Sequence, residues 1–214
     1  VTGIDTKEKK LKLDNGEDLP YEKVVLATGA SSFLPPIENL RTANNVIGLR
    51  NLDDAIRIKE IAPKVKNIII LGAGLVGVDA MAGLLDYDAK VTMIEMGDRI
   101  LPLQLDHYAA NVYIERLKEE GVDFRFNVRA EKVIVDENNN PVAIKLNTGE
   151  EVPGELIIAC TGVRSNVGFL EGSGIECDKF GLIFNPKGET NVKDVYGAGD
   201  ISGRNPIWPT AVKE

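Results

Sequence analysis

One stretch limits the fold of this chain more than any other. Asn67-Ile68-Ile69-Ile70-Leu71 is a compact β-branched run and reads as a strand buried on both faces. Gly72-Ala73-Gly74-Leu75-Val76-Gly77 follows at once, and the small, apolar residues from Val78 to Leu85 read as a helix. A second strand, Lys90 to Ile94, ends at Glu95, 23 residues after Gly72. Each glycine has a separate task. Gly72 permits a tight turn out of the strand. Gly74 has no side chain, so a pyrophosphate can touch the backbone. Gly77 lets the helix lie close against the strand, and Leu75 and Val76 belong to the same binding loop. The helix start offers N–H groups and a positive dipole end to phosphates. Glu95 is placed to accept hydrogen bonds from the hydroxyls of an adenosine ribose. The pattern therefore predicts a dinucleotide site. S-adenosylmethionine methyltransferases use a similar loop and acid, and that alternative stays open at this point.

Glu95 also bears on which dinucleotide binds. A carboxylate there repels a 2′-phosphate at close range. Met96, Gly97 and Asp98 follow it, and the first cation, Arg99, comes fourth. NAD(H) rather than NADP(H) is expected.

The rest of the chain suits a fold of the same α/β class: a Rossmann-like domain with a parallel sheet, helices and a β-meander. Leu105 to Glu120 reads as an amphipathic helix ended by Gly121, and Val122 to Phe126 as a strand. Lys132 to Asp136 and Val142 to Leu146 read as a meander turning at Glu137 to Pro141. Leu156 to Ala159 is a further buried strand.

A repeat complicates this single-site picture. Gly16, Glu17, Pro20, Glu22, Thr28 and Gly29 recur 133 positions later as Gly149, Glu150, Pro153, Glu155, Thr161 and Gly162. Each copy reads as a hairpin turn, a polar stretch, a buried strand and a Thr-Gly turn. The glycine-rich loop lies about 90 residues before Thr161, whereas only 27 residues precede Thr28. Two homologous halves are expected, the first without its strand–loop–helix front. The start at Val1 in mid-pattern points the same way, to a truncated or processed chain.

Composition excludes several classes. A formal net charge of −8 disfavours nucleic acid and anionic membrane surfaces as partners. No run approaches the roughly 20 apolar residues needed to span a bilayer. Cys160 and Cys177 form no Cys-x-x-Cys pair, which fits a reducing, cytoplasmic setting. The single histidine, His107, makes no metal cluster, so no metal site is expected. Cys160 reads as a small core residue. Cys177, beside Glu176 and Asp178, reads as a thiol dulled by its acidic neighbours, and His107 as a solvent-facing residue near a helix start.

With these residues in view, the chain resembles the FAD- and NAD-dependent pyridine nucleotide–disulfide oxidoreductase superfamily. The likeness is to the branch holding NADH oxidases, rubredoxin and ferredoxin reductases, and the flavin portion of assimilatory nitrite reductase. It rests on Ala27-Thr28-Gly29, the loop from Gly72 to Gly77, Glu95 and the run Gly97 to Pro102. It continues through Thr161-Gly162-Val163-Arg164-Ser165-Asn166 and Gly197-Ala198-Gly199-Asp200.

The resemblance implies an NAD domain inserted in an FAD domain. Residues 1–36 would be a partial FAD-domain segment, 37–165 the NAD-binding domain, and 166–214 the return to the FAD domain. Gly72, Gly74, Leu75, Val76, Gly77 and Glu95 would bind NAD(H). Asp79 would lie near the nicotinamide, where relatives often carry the longer Glu, and Gly162 would line the nicotinamide side. Thr28, Gly29 and Asp200 would be remnants of the FAD site, with Asp200 on the ribityl chain. The segment from Ile207 to Thr210 would lie near the flavin ring and open a helix. No residue is assigned as catalytic, because the cofactors carry the chemistry.

The amino-terminal FAD pyrophosphate loop, the redox-active Cys and the carboxy-terminal interface domain of the family have no counterpart in this sequence. The parent protein is expected to pass hydride from NADH to FAD and on to an unidentified acceptor, and to dimerise through the interface domain. FAD binding by this chain alone is not expected to be tight. The other reading is an isolated NAD-binding fragment with no flavin or catalysis of its own.

Overall fold

The computed structural model describes residues 1–204 and 208–213. Two compact units divide it: Val1–Ser31 with Val163–Glu214, and Ser32–Gly162. The sequence places these divisions near residues 36 and 165. They fall earlier, at two short strands that pair with each other, Ala30–Ser32 and Val163–Ser165.

In chain order, the first unit opens with an antiparallel meander of β1 (Gly3–Asp5), β2 (Lys10–Lys12) and β3 (Asp18–Pro20). Next come β4 (Val24–Leu26) and β5 (Ala30–Ser32). The second unit runs through β6 (Val46–Gly48), α1 (Leu52–Ile61), β7 (Asn67–Leu71), α2 (Leu75–Ala82) and β8 (Lys90–Ile94). It continues with α3 (His107–Glu119), β9 (Asp123–Arg125), β10 (Ala130–Val135), β11 (Pro141–Leu146), β12 (Glu151–Pro153) and β13 (Leu156–Ala159). The chain then returns to the first unit with β14 (Val163–Ser165), β15 (Val195–Gly197) and the short helix α4 (Trp208–Ala211).

The second unit is built on a five-stranded parallel sheet of order β6-β13-β7-β8-β9. Strand β7 shows why this sequence needs two covering layers. Ile68 and Ile70 pack into a cluster with Ile58, Met81, Met93 and Ile114, the helix side. Ile69 and Leu71 point the other way, to Val133, Ile144, Leu146 and Val152 of the β10–β11–β12 meander. Alternate side chains leave a strand on opposite faces, so an unbroken apolar run is buried only when both faces are covered. All four residues are at most 3% exposed. Each such burial contributes roughly 1.5–3 kcal/mol.

The strands at 67–71, 90–94 and 156–159 match the sequence expectation. The helix after the glycine loop does not. It is expected from Val78, yet α2 starts at Leu75 and ends before Gly83. The reason is that Gly74, Leu75, Val76 and Gly77 serve as the cap and first turn: Gly74 caps the helix, and Val78 N–H already donates to Gly74 O at 3.0 Å. Helix α3 is shorter at both ends than expected. Asp106 accepts from Ala109 N–H at 2.8 Å and fixes its start.

The first unit carries its own core of Ile4, Leu26, Leu170, Ile175, Leu182, Val195 and Ile201. Within it β15 pairs parallel with β4. No helix among the described residues is long and apolar enough to cross a membrane.

The two copies of the repeat share the bonds of their turns, but the strand expected to be buried in both is buried only in the second: Val25 is 63% exposed, whereas its counterpart Ile158 is fully buried. Leu13 N–H donates to Glu17 O at 2.9 Å, and Leu146 N–H to Glu150 O at 2.8 Å. Gly16 and Gly149 turn with φ of 87° and 88°. At the Thr-Gly ends, Thr28 Oγ1 donates to Asn166 O at 2.9 Å, and Thr161 Oγ1 to Phe33 O at 2.5 Å. Phe33 and Asn166 are themselves 133 residues apart. Each threonine thus holds the partner that the repeat assigns to the other copy.

Candidate nucleotide-binding cleft

Parallel pairing sets the carboxyl ends of three strands side by side. Leu71 lies opposite both Ile94 and Ala159. Gly72 N–H donates to Ile94 O, and Cys160 N–H to Leu71 O, at 2.9 and 2.8 Å. The residues that leave these strands, Cys160-Thr161, Gly72 and Glu95, therefore share one rim. Open α/β sheets bind ligands at that rim.

A cleft of roughly 370 Å³ opens there, a size that suits a small-molecule ligand. Gly72, Gly74, Glu95, Met96, Cys160 and Thr161 line it, with Pro35 and Ile37 on another side. Val128, Arg129 and Ala130 complete the wall.

The glycines divide their work as their surroundings demand. Gly72 has φ +98°, and a Cβ there would sit 2.5 Å from Cys160 O. A Cβ on Gly77 would collide with Gly72 O, so α2 lies on the turn only because Gly77 has none. Gly74 differs: a Cβ there would meet nothing within 4 Å. The position faces open space, and no side chain caps α2 there. The fold itself does not require glycine at 74. A phosphate group approaching the backbone there would. This cradle fits a dinucleotide pyrophosphate.

Glu95 is held by backbone. Its Oε2 accepts from Ala73 N–H at 2.8 Å and its Oε1 from Gly97 N–H at 2.7 Å. Each carboxylate oxygen keeps a further acceptor position. The side chain that would read the ribose is thereby tied to the loop that would read the phosphates.

The other sequence-level candidates are spread more widely. Leu75 and Val76 are half-exposed apolar residues in the first turn of α2. Asp79 is exposed and borders a separate hollow with Leu49, Lys59 and Tyr87, away from the Gly72 cleft. Gly162 follows Thr161 with φ +98° and open space where a Cβ would be. Gly29 repeats that state in the first unit, at φ +65°. Asp200 sits in a short 3-10 turn, Gly199–Ser202, and its carbonyl accepts from Ser165 Oγ at 2.9 Å. Of the segment Ile207 to Thr210, Ile207 lies outside the described residues, while Trp208 to Thr210 belong to α4.

Sequence reasoning missed Arg129. It sits 34 positions after Glu95, too far for a local motif. The signal was in the sheet. Arg125 pairs with Ile94, so the residues leaving β9 run beside those leaving β8. Val128 N–H donates to Glu95 O at 3.3 Å, and Asn127 N–H to Gly97 O at 2.9 Å. Arg99, the cation considered in the sequence, is occupied elsewhere: it donates to Asp98 Oδ1, Leu105 O and Pro102 O. The expectation of no cation near Glu95 therefore needs correcting, since Arg129 lines the same cleft.

Cys160 lines the cleft with its thiol pushed up to about 12 by burial, so it is neutral and unreactive at neutral pH. Cys177 is also raised, first by burial and only then by Asp178, so burial outweighs the acidic neighbours visible in the sequence.

Comparison with known proteins gives the family of the chain. The family model described as pyridine nucleotide-disulphide oxidoreductase matches residues 1–214. An NADH oxidase of Methanocaldococcus jannaschii is 30% identical over 206 residues, covering 94% of this chain and 45% of that protein. A rubredoxin-NAD(+) reductase of Ectopseudomonas oleovorans is 27% identical, covering 100% of this chain and 55% of the relative. Among solved structures, an NAD-dependent persulfide reductase from A. fulgidus superposes with a TM-score of 0.86 at 29% identity, over 94% of this chain and 37% of that one. The chain spans about half the length of the curated relatives it matches.

Proposed function

The chain belongs to the pyridine nucleotide-disulphide oxidoreductase family, and from that premise we propose that residues 32–162 are the NAD(H)-binding part of a flavin-dependent oxidoreductase. The observation that carries this reading is Gly74, a glycine in open space at the start of α2 where no side chain caps the helix, two residues from Gly72, whose positive φ the fold itself needs. A methyltransferase is set aside by the family.

Gly72, Gly74 and the first N–H groups of α2 would hold the pyrophosphate, and Glu95 the adenosine ribose. Gly162 would leave room on the nicotinamide side. NADH supplies a hydride when bound, and in the whole protein FAD would receive it before an acceptor does. The work of this chain is to bind and align the donor. Thr28, Gly29 and Asp200 would lie toward the flavin. Asp79, bordering its own hollow, would contribute to the nicotinamide end only with the cofactor extended along α2.

A second reading has its own support. Among the described residues of the first unit, the glycine-rich turn Gly197-Ala198-Gly199 leads from a strand only into a short 3-10 turn, and no strand–glycine loop–α-helix element of the kind that holds a pyrophosphate in this fold class is present. On that reading the 214 residues alone bind NAD(H) without flavin.

Titration of the chain with NADH, read by nicotinamide fluorescence, tests both. Saturable binding, tighter than that of NADPH, supports the NAD(H) site. Absence of binding refutes it. Flavin absorbance that bleaches on adding NADH favours the first reading, and a colourless chain that binds NADH favours the second.

A further inference from the structure

Along the rim of the sheet, the loops follow the strand order β13, β7, β8, β9. Thr161 leaves the first, Gly72 to Gly74 the second, Glu95 and Met96 the third, and Val128 to Ala130 follow the fourth. If the glycine loop takes the pyrophosphate and Glu95 the adenosine ribose, the next position outward belongs to the adenosine end. Arg129 stands there. Among the described residues lining the cleft, it and Glu95 are the charged ones.

The way Arg129 is held separates its backbone from its head. Its N–H donates to Asn147 Oδ1 at 2.9 Å, and its carbonyl accepts from Asn147 N–H at 3.0 Å. The neighbouring Val128 is bonded to Glu95 itself. The guanidinium is another matter. Its contact with Glu131 Oε1 is 3.4 Å long, and the side chain is 64% exposed. Such a contact is weak and easily exchanged. Arg129 is thus a permanent cation on a fixed stem, with a head at liberty to turn into the cleft.

We propose that Arg129 is a specificity-determining residue of the nucleotide site, a cation that attracts a 2′-phosphate on the adenosine ribose and offsets part of its rejection by Glu95. This rests on the NAD(H) reading of the cleft. Discrimination between the two dinucleotides is then the difference of two opposed charges on one wall, not the work of Glu95 alone. Guanidinium and phosphate pair through parallel hydrogen bonds, so the effect falls on NADPH and spares NADH.

The test is titration of the 214-residue chain with NADH and with NADPH, at low and at moderate salt. Arg129→Gln is expected to weaken NADPH binding by about five- to tenfold while NADH changes less than about twofold. Arg129→Lys should restore part of the loss. Glu95→Gln should raise NADPH affinity, and most of that gain should vanish in the double variant with Arg129→Gln. NADPH binding should also weaken with salt more steeply in the unsubstituted chain than in Arg129→Gln. An NADH-to-NADPH ratio that does not move in Arg129→Gln overturns the proposal, as does an equal loss for both nucleotides. Failure of the unsubstituted chain to bind NADH is a different outcome: it removes the nucleotide site, and Arg129's role with it.

Discussion

The Glu95 carboxylate accepts the N–H of Ala73 at 2.8 Å, joining the end of one strand to the glycine loop that leaves its neighbour. The second oxygen takes Gly97 N–H at 2.7 Å. The acid proposed to read a ribose is thus also a structural brace. Glu95→Ala should therefore cost stability as well as affinity. Losing bonds to partly buried N–H groups predicts a loss of about 1–3 kcal/mol in urea denaturation. NADH affinity should fall about tenfold or more in titration, since a charge-assisted contact to the ribose goes too. A variant with full stability and weak NADH binding would show that the brace contributes nothing.

Gly72 and Gly74 should respond in opposite ways to the same methyl group. Gly72→Ala places a Cβ 2.5 Å from Cys160 O at φ +98°, and should destabilise the fold by about 2 kcal/mol or more. Gly74→Ala meets no atom within 4 Å, so its melting temperature should hardly move. Its NADH affinity should fall instead. Thermal unfolding and titration of both variants decide the matter, and unchanged NADH binding by Gly74→Ala would argue against a pyrophosphate there.

Thr161→Val keeps the shape and removes the hydroxyl that donates to Phe33 O. A loss of about 1 kcal/mol is expected in chemical denaturation. Thr28→Val, which removes the matching bond to Asn166 O, should cost a similar amount. A large inequality between the two would mean that the repeat is alike in geometry but not in energy.

Cys160 predicts a pH dependence. Burial raises its folded-state pKa to about 12, above the ordinary thiol value. A raised thiol pKa means that the folded state holds its proton more tightly than the unfolded one does. The contribution is therefore complete below the unfolded pKa of about 8.5 and declines as pH rises from there toward 12. The slope is at most about 1.4 kcal/mol per pH unit. Cys160→Ala should flatten this alkaline decline in denaturation curves taken between pH 8 and pH 11. A decline of equal slope in that variant would assign the effect to other groups.

Much of the second unit was legible because its signals are local. Three strands follow from β-branched runs alone, and the turn at Gly72 and the close helix approach at Gly77 follow from their order between a strand and a helix. The start of α2 was not legible. Propensity disfavours helix at Gly77, yet packing against Gly72 O overrides it. Arg129 was hidden for another reason. Its neighbourhood to Glu95 arises from the β8–β9 pairing, and no spacing along the chain announces a pairing between strands separated by a helix. The repeat was visible as identities, but the exchange of partners between Thr28 and Thr161 required three dimensions.

Phe33 N–H donates to Gly162 O at 2.9 Å, so the second unit begins and ends at one hydrogen bond. Everything between is a loop already closed by its own fold. For β5 and β14, which the chain joins only through those residues, the long excursion has the entropy of a tight turn rather than that of a long flexible connector. The ring closes when the second unit folds, and it opens when that unit melts. Heating the second unit alone would thus lengthen the effective tether between β5 and β14 in a single step, and loosen the first unit without touching any of its contacts.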